Sequence, residues 1–175
     1  MEIIRRSEFR MEVMKQVSTL RLPDTWVAAG FVRNAVWDHL HGFTSETSLN
    51  DVDVIYFDRK VVDRHRDEEA EEQLSNSFPG VVFSVKNQAR MHIRNRDEPY
   101  RSATDAMTHW PETCTAIGVA REGDEILYEA PFGLSDLFSL TVRPTSSNAS
   151  MKSLVKKRSI EKGWMEIWPN LILET

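Results

Sequence analysis

Asp51 and Asp53 are the residues of this chain whose type and spacing most directly propose chemistry. They open the stretch Asp51-Val52-Asp53-Val54-Ile55-Tyr56-Phe57, which alternates as a strand does, so both carboxylates point to one face. Two like charges on one patch raise a pKa or demand a counter-ion. A divalent cation with hard oxygen ligands, Mg²⁺ or Mn²⁺, is the natural one, held by one or two carboxylates together with substrate phosphates. Upstream, Gly30 breaks a short apolar run and opens a segment with Val32, Ala35, Val36 and Leu40 at helical spacing. A glycine there lets a phosphate approach the backbone. The amides that follow Gly30, from Phe31 to Arg33, lie at a helix start and favour an anion, and Arg33 adds a forked cationic donor. Together these residues describe a metal-dependent nucleotide site.

The elements that must position them are legible from periodicity. Phe9, Val13, Val17 and Leu20 predict an amphipathic helix over 7–20, closed by Pro23. Trp26 to Ala29 predicts a buried strand, Phe31 to Leu40 a helix ended by Gly42, and Asp51 onward a second strand. The acidic run from Asp63 to Ser77 reads as a surface helix with carboxylates in its first turns. Gly80 to Lys86 predicts a third strand, giving the order αβαβαβ. Ser102 to Asp105 forms a capping box for a short helix stopped by Pro111. Strand-like segments at 115–121, 125–130 and 134–140 are expected to extend the sheet, with a hairpin turn at Glu122-Gly123-Asp124. A basic helix follows from Ser150.

Strand, glycine, helix carrying Val32-Arg33-Asn34, loop and D-x-D resemble the core of the DNA polymerase β-type nucleotidyltransferase superfamily. The nearest branch is that of poly(A) polymerases and CCA-adding enzymes, whose turn reads Gly-Gly-x-Val-Arg-Asp. The matching stretch here is Ala29-Gly30-Phe31-Val32-Arg33-Asn34, with Ala29 in place of the first glycine and Asn34 in place of the acid. Val85 to His92, Trp110 to Thr113 and Ala130 to Phe138 are similar to small bacterial nucleotidyltransferase-like proteins, over nearly the whole chain. The resemblance implies an α+β fold, a polymerase β-like mixed sheet with helices packed on it, extended by C-terminal strands and a C-terminal helix. It implies transfer of an NMP from an NTP to an acceptor hydroxyl with Mg²⁺, metal ligation by Asp51 and Asp53, and nucleotide contacts at Gly30, Phe31, Arg33 and Asn34. Members that catalyse add a third carboxylate from the third core strand, where this chain offers only Val85, Lys86 and Asn87. Glu129 is therefore expected to complete the catalytic set, with Asp136 as the substitute. Lys86, Asn87 and Arg90 are expected beside the phosphates. A catalytically inactive nucleotide- or metal-binding module on the same fold is the alternative.

Composition bounds the rest. With 175 residues, of which 41% are hydrophobic, a single domain over 1–175 can build a core. A net charge of −5 argues against an extensive nucleic-acid grip, which depends on phosphate neutralisation by Lys and Arg. No apolar run reaches membrane-spanning length and no signal peptide is evident, so the cytoplasm is the expected location. The lone Cys114 permits no intrachain disulfide and reads as a core thiol. The His spacing fits no zinc motif. The acceptor is not readable from these residues.

Overall fold

The computed structural model describes residues 1–174. In chain order it contains α1 (Glu2–Arg5), α2 (Glu8–Thr19), β1 (Trp26–Ala28), α3 (Gly30–Leu40), β2 (Val52–Tyr56), α4 (His65–Ser77) and β3 (Phe83–Asn87). A 3-10 turn (Gln88–Arg90) leads to α5 (Met91–Asn95), α6 (Ala103–Met107), β4 (Gly118–Glu122), β5 (Glu125–Glu129), α7 (Ser135–Phe138) and β6 (Thr141–Val142). The chain closes with α8 (Ala149–Glu161), α9 (Trp164–Ile167) and β7 (Ile172–Leu173). The predicted αβαβαβ order therefore holds, preceded by one extra helical turn.

Five strands form a mixed sheet in the order β3-β2-β1-β4-β5, with β2 and β3 parallel and the other neighbours antiparallel. Alternation divides β2 cleanly. Val52, Val54 and Tyr56 face the core with Val27, Val85 and Val119, while Asp53 and Ile55 face the other way. That second face is only partly covered, by Ala103, Met107 and Trp110. It is left open where Asp53 stands. One row of paired residues runs across it: Ser84, Asp53, Ala28, Gly118 and Glu129.

The expected cap at Ser102 forms, and Ser7 and Asn148 add two more. The Ser7 side chain accepts the Arg10 amide, the Ser102 side chain accepts the Asp105 amide, and the Asn148 side chain accepts the Met151 amide, each stopping a helix from fraying at its start. One expectation fails: 134–140 is not a strand. Ser135–Phe138 is a helical turn that closes its backbone bonds locally, Phe138 N donating to Leu134 O at 3.0 Å and Ser139 N to Ser135 O at 2.8 Å, while the Asp136 side chain accepts Thr113 Oγ1 and Arg143 Nε. The C-terminal strands β6 and β7 instead pair with each other, in parallel, outside the main sheet.

Ala29 carries the sharpest backbone feature. As the residue before α3 it has φ 56° and ψ −122°, a region that favours glycine, and its amide donates to Ile117 O at 2.9 Å. Such a conformation costs about 1–3 kcal/mol in a residue with a Cβ, against about 0.8 kcal/mol for burying one methyl. Strain outweighs packing here. Ala29→Gly is expected to raise stability by about 1 kcal/mol in urea denaturation; a loss of stability would show that the methyl contact dominates.

Candidate active site

The open face of the sheet, the start of α3 and the C-terminal helices enclose a cleft of two joined compartments. The first, about 200 Å³, is lined by Ala29, Gly30, Arg33, Asn34, the 47–51 loop, Asp53, Thr115, Arg158, Lys162 and the α9 segment. Asp51 lies just before β2 and is exposed, whereas Asp53 is half-buried within it. The structure thus brings Gly30, Arg33, Asn34, Asp51 and Asp53 together.

Electrostatics mark Asp53 as the strained member. Its carboxyl is pushed up to about 6, first by burial and then by Asp51, with Lys162, Arg33 and Arg158 pulling the other way. The α3 start faces this pair without a side-chain cap. A Cβ at Gly30 would meet nothing closer than Arg33 Nη2 at 3.6 Å and Asn34 Oδ1 at 3.7 Å. Nothing inside the chain demands glycine at that position. Its bare Cα leaves room on the cleft side, where an anion would meet the Gly30 amide. The expected contact at Phe31 is not formed: the whole residue is buried in the core and lines neither compartment, so neither its ring nor its amide is open to a ligand. Two carboxylates beside a free helix amide suit a hard divalent cation that shares its ligands with phosphate.

Arg33 departs from its expected role. It is buried, with its guanidinium 4.8 Å from the Trp37 ring and 4.5 Å from the Trp164 ring. Nη1 donates to Thr115 Oγ1 at 2.8 Å and Nη2 to Asn34 Oδ1 at 2.9 Å, so the fork is already occupied. Burial lowers its pKa, opposed by the fields of Glu112 and Asp53 among others. Arg33 is a wall that carries charge, and Asn34 is its hydrogen-bond partner.

Three further expectations need correction. Asn87 is fully buried: its Nδ2 donates to Asp58 O and Val61 O, and its Oδ1 accepts the Asp58 and Ala89 amides. All its capacity goes into holding the 58–61 loop. Arg90 is paired with Asp67 of α4, away from the aspartate pair. Lys86 extends into the second compartment and donates to Glu71 Oε1 at 2.5 Å. The third carboxylate is also absent. Among the described residues, no three His, Cys, Asp or Glu side chains gather as a metal cluster. Glu129 shares the face of Asp53 but lies three strands away, roughly 14 Å at about 4.8 Å per strand step, and Asp136 is held in the 113–143 network. Ser84 is the residue in register beside Asp53 on β3.

Residues that the sequence did not point to complete the cleft. Glu112, fully buried, accepts Arg158 Nε on Oε1 at 2.6 Å and keeps Oε2 without a partner. It aims Arg158 at the junction of the two compartments, and Lys162 follows one turn later. Asp38 accepts the Thr47 amide at 2.8 Å and Trp168 Nε1 at 2.8 Å, fixing the loop before Asp51 and the C-terminal segment to α3. Only the basic character of 152–162 hinted at this part.

The chain belongs to a nucleotidyltransferase family, whose model matches residues 15–173. It is also similar to a solved NMR structure reported to reveal a CCA-adding enzyme head domain, at 34% identity and a TM-score of 0.85, covering 99% of this chain and 95% of that one. A comparison with curated proteins finds no match. No helix among the described residues is long and apolar enough to cross a membrane.

The raised Asp53 pKa gives a stability test on metal-free protein. Between the ordinary carboxyl value of 3.8 and about 6, the folded state holds the proton that the unfolded chain has lost. Stability therefore falls as pH rises through that window, and the full cost is present above it. Asp53→Asn is expected to remove this slope and to stabilise the chelator-treated protein above pH 6 by up to about 3 kcal/mol, at about 1.4 kcal/mol per unit. Urea midpoints measured across this range check it; identical slopes in both proteins would contradict the burial account.

Proposed function

We propose that the protein transfers an NMP from an NTP to an acceptor hydroxyl, with the triphosphate in the first compartment. The observation that carries this reading is the half-buried Asp53, beside Asp51, facing an uncapped helix start across a compartment of about 200 Å³. Asp51 and Asp53 would hold Mg²⁺ or Mn²⁺, which when bound supplies charge neutralisation on the phosphates. The chain's own groups do the rest. The Gly30 amide binds a phosphate oxygen, and Lys162 adds a mobile cation over it. Arg158, oriented by Glu112, stabilises charge that develops on the α-phosphate at the junction. Phosphoryl chemistry needs positioning and fixed charge more than covalent help, so this small set suffices.

The lack of a third carboxylate beside Asp53 favours one second reading, a nucleotide-binding module without turnover. Both readings require nucleotide binding, and only the first requires pyrophosphate. Incubation with each α-labelled NTP and Mg²⁺ or Mn²⁺ is expected to release pyrophosphate, and to release none in Asp51→Asn. Binding without release in the presence of acceptor would select the module.

The phosphate contacts can be tested separately. Lys162 is exposed and Gly30 is not required by internal packing, so Lys162→Ala and Gly30→Ala should both keep the wild-type melting temperature. Each is expected to weaken NTP affinity while sparing nucleoside affinity, Lys162→Ala by roughly tenfold, the low end for one charge-assisted hydrogen bond of about 1.5–3 kcal/mol. Equal affinities for NTP in all three proteins would remove the first compartment as the phosphate site.

A further inference from the structure

The second compartment, about 590 Å³, begins where the first ends. Ala29, Asp53, Thr115 and Arg158 line both. From that junction it runs over the β3 side of the sheet, past Ile55, Ser84 and Lys86, to α5 and the 109–111 turn. One face of α8 roofs the whole cleft: Met151 and Leu154 stand over the second compartment, Arg158 over the junction, and Lys162 over the first.

In-line displacement at phosphorus fixes what each side must hold. With the β- and γ-phosphates at the α3 start, the leaving pyrophosphate lies in the first compartment. The entering oxygen then arrives from the opposite side. That side is the second compartment. Its volume falls in the range of small-molecule pockets, and Met91, Trp110, Pro111, Met151 and Leu154 supply apolar wall.

Charge says what kind of molecule fits. Lys86 is neutralised by Glu71 and Arg158 by Glu112, while Asp97 accepts from Tyr100 and lies 3.2 Å from His109 Nδ1, an ion pair only when that imidazole is protonated. Arg94 lines the compartment, is exposed, and has no carboxylate or hydrogen-bond partner among the described residues. It is the cation the compartment leaves over. A nucleic-acid strand would need a track of such cations, and this wall offers one, on a chain of net charge −5.

We propose that the second compartment is the acceptor subsite and takes a small hydroxyl compound bearing an anionic group, the anion at Arg94 and the hydroxyl at the Asp53–Arg158 junction. This rests on the nucleotidyl-transfer reading. The acceptor oxygen forms its bond to the α-phosphorus, the bond from that phosphorus to the bridging oxygen breaks, and pyrophosphate leaves with the electron pair. The hydroxyl proton passes to solvent.

The test uses the full chain with all four NTPs labelled at the α-phosphate, Mg²⁺ or Mn²⁺, and three fractions of a host-cell extract: dialysable material retained by an anion exchanger, dialysable material not retained, and macromolecules. Nucleotide binding is measured in parallel by titration. Label is expected in a product from the retained dialysable fraction. Arg94→Glu should lower its yield roughly tenfold or more with unchanged nucleotide affinity. Leu154→Trp, which crowds the compartment from an exposed position, should do the same. Label in the unretained or macromolecular fraction, full labelling by Arg94→Glu, or nucleotide binding with no labelled fraction would each overturn the inference. Failure of the wild type to bind nucleotide would overturn the transfer reading and this inference with it.

Discussion

Trp37 is the joint on which the site depends. Its ring meets Trp164 edge-on at 5.6 Å and Trp168 at 5.0 Å, and the Arg33 guanidinium packs against both Trp37 and Trp164. Aromatic pairs of this geometry add about 0.5–1.5 kcal/mol each beyond their burial, and a buried cation–π contact about as much again. Asp38, one residue on, takes the Trp168 indole N–H and the Thr47 amide from opposite sides. The C-terminal segment is thereby locked to the helix that follows the glycine turn. That lock, with the Glu112–Arg158 pair and the buried Val155, fixes α8 over the aspartates, where Arg158 and Lys162 would otherwise be ordinary surface cations.

The same joint explains why a buried arginine is tolerated. Arg33 makes two side-chain hydrogen bonds and leaves Nε unsatisfied, while Glu112, also buried, leaves Oε2 unsatisfied. Each group's field lowers the cost of burying the other, and Asp53 shares in that balance. The site is thus a cluster of incompletely paired charge around the junction of the two compartments. An incoming phosphate and cation would complete it, which is the electrostatic form that preorganised phosphate sites take.

The parts of this arrangement set by local periodicity could be read from the residues. The helix over 7–20, the strand–glycine–helix at 26–40 and the D-x-D strand follow from apolar spacing and turn chemistry that act within a few residues. Side-chain fates did not follow in the same way. Asn87 ends the third strand and Arg90 lies in the turn after it, yet Asn87 is spent on the 58–61 loop and Arg90 on α4, a choice made by partners 20 to 30 positions distant that no local pattern encodes. Arg33 kept its place but not its freedom, because Trp164 and Thr115 reach it only after folding. Arg158 and Lys162 were visible as a basic helix, but nothing in their spacing tied them to Asp53. The strain at Ala29 was foreshadowed by the missing glycine.

One site joins the aspartate pair, the α3 start and the end of α8. Mn²⁺ added with an NTP to isotope-labelled protein tests it most directly, since paramagnetic broadening falls off steeply with distance. Broadening is expected to be strongest at the amides of Gly30, Phe31, Asp51 to Val54, and Lys162 with Gly163, and much weaker at Glu129 and Arg90. Broadening centred on the acidic face of α4, or sparing Lys162 and Gly163 while reaching Glu129, would contradict the account.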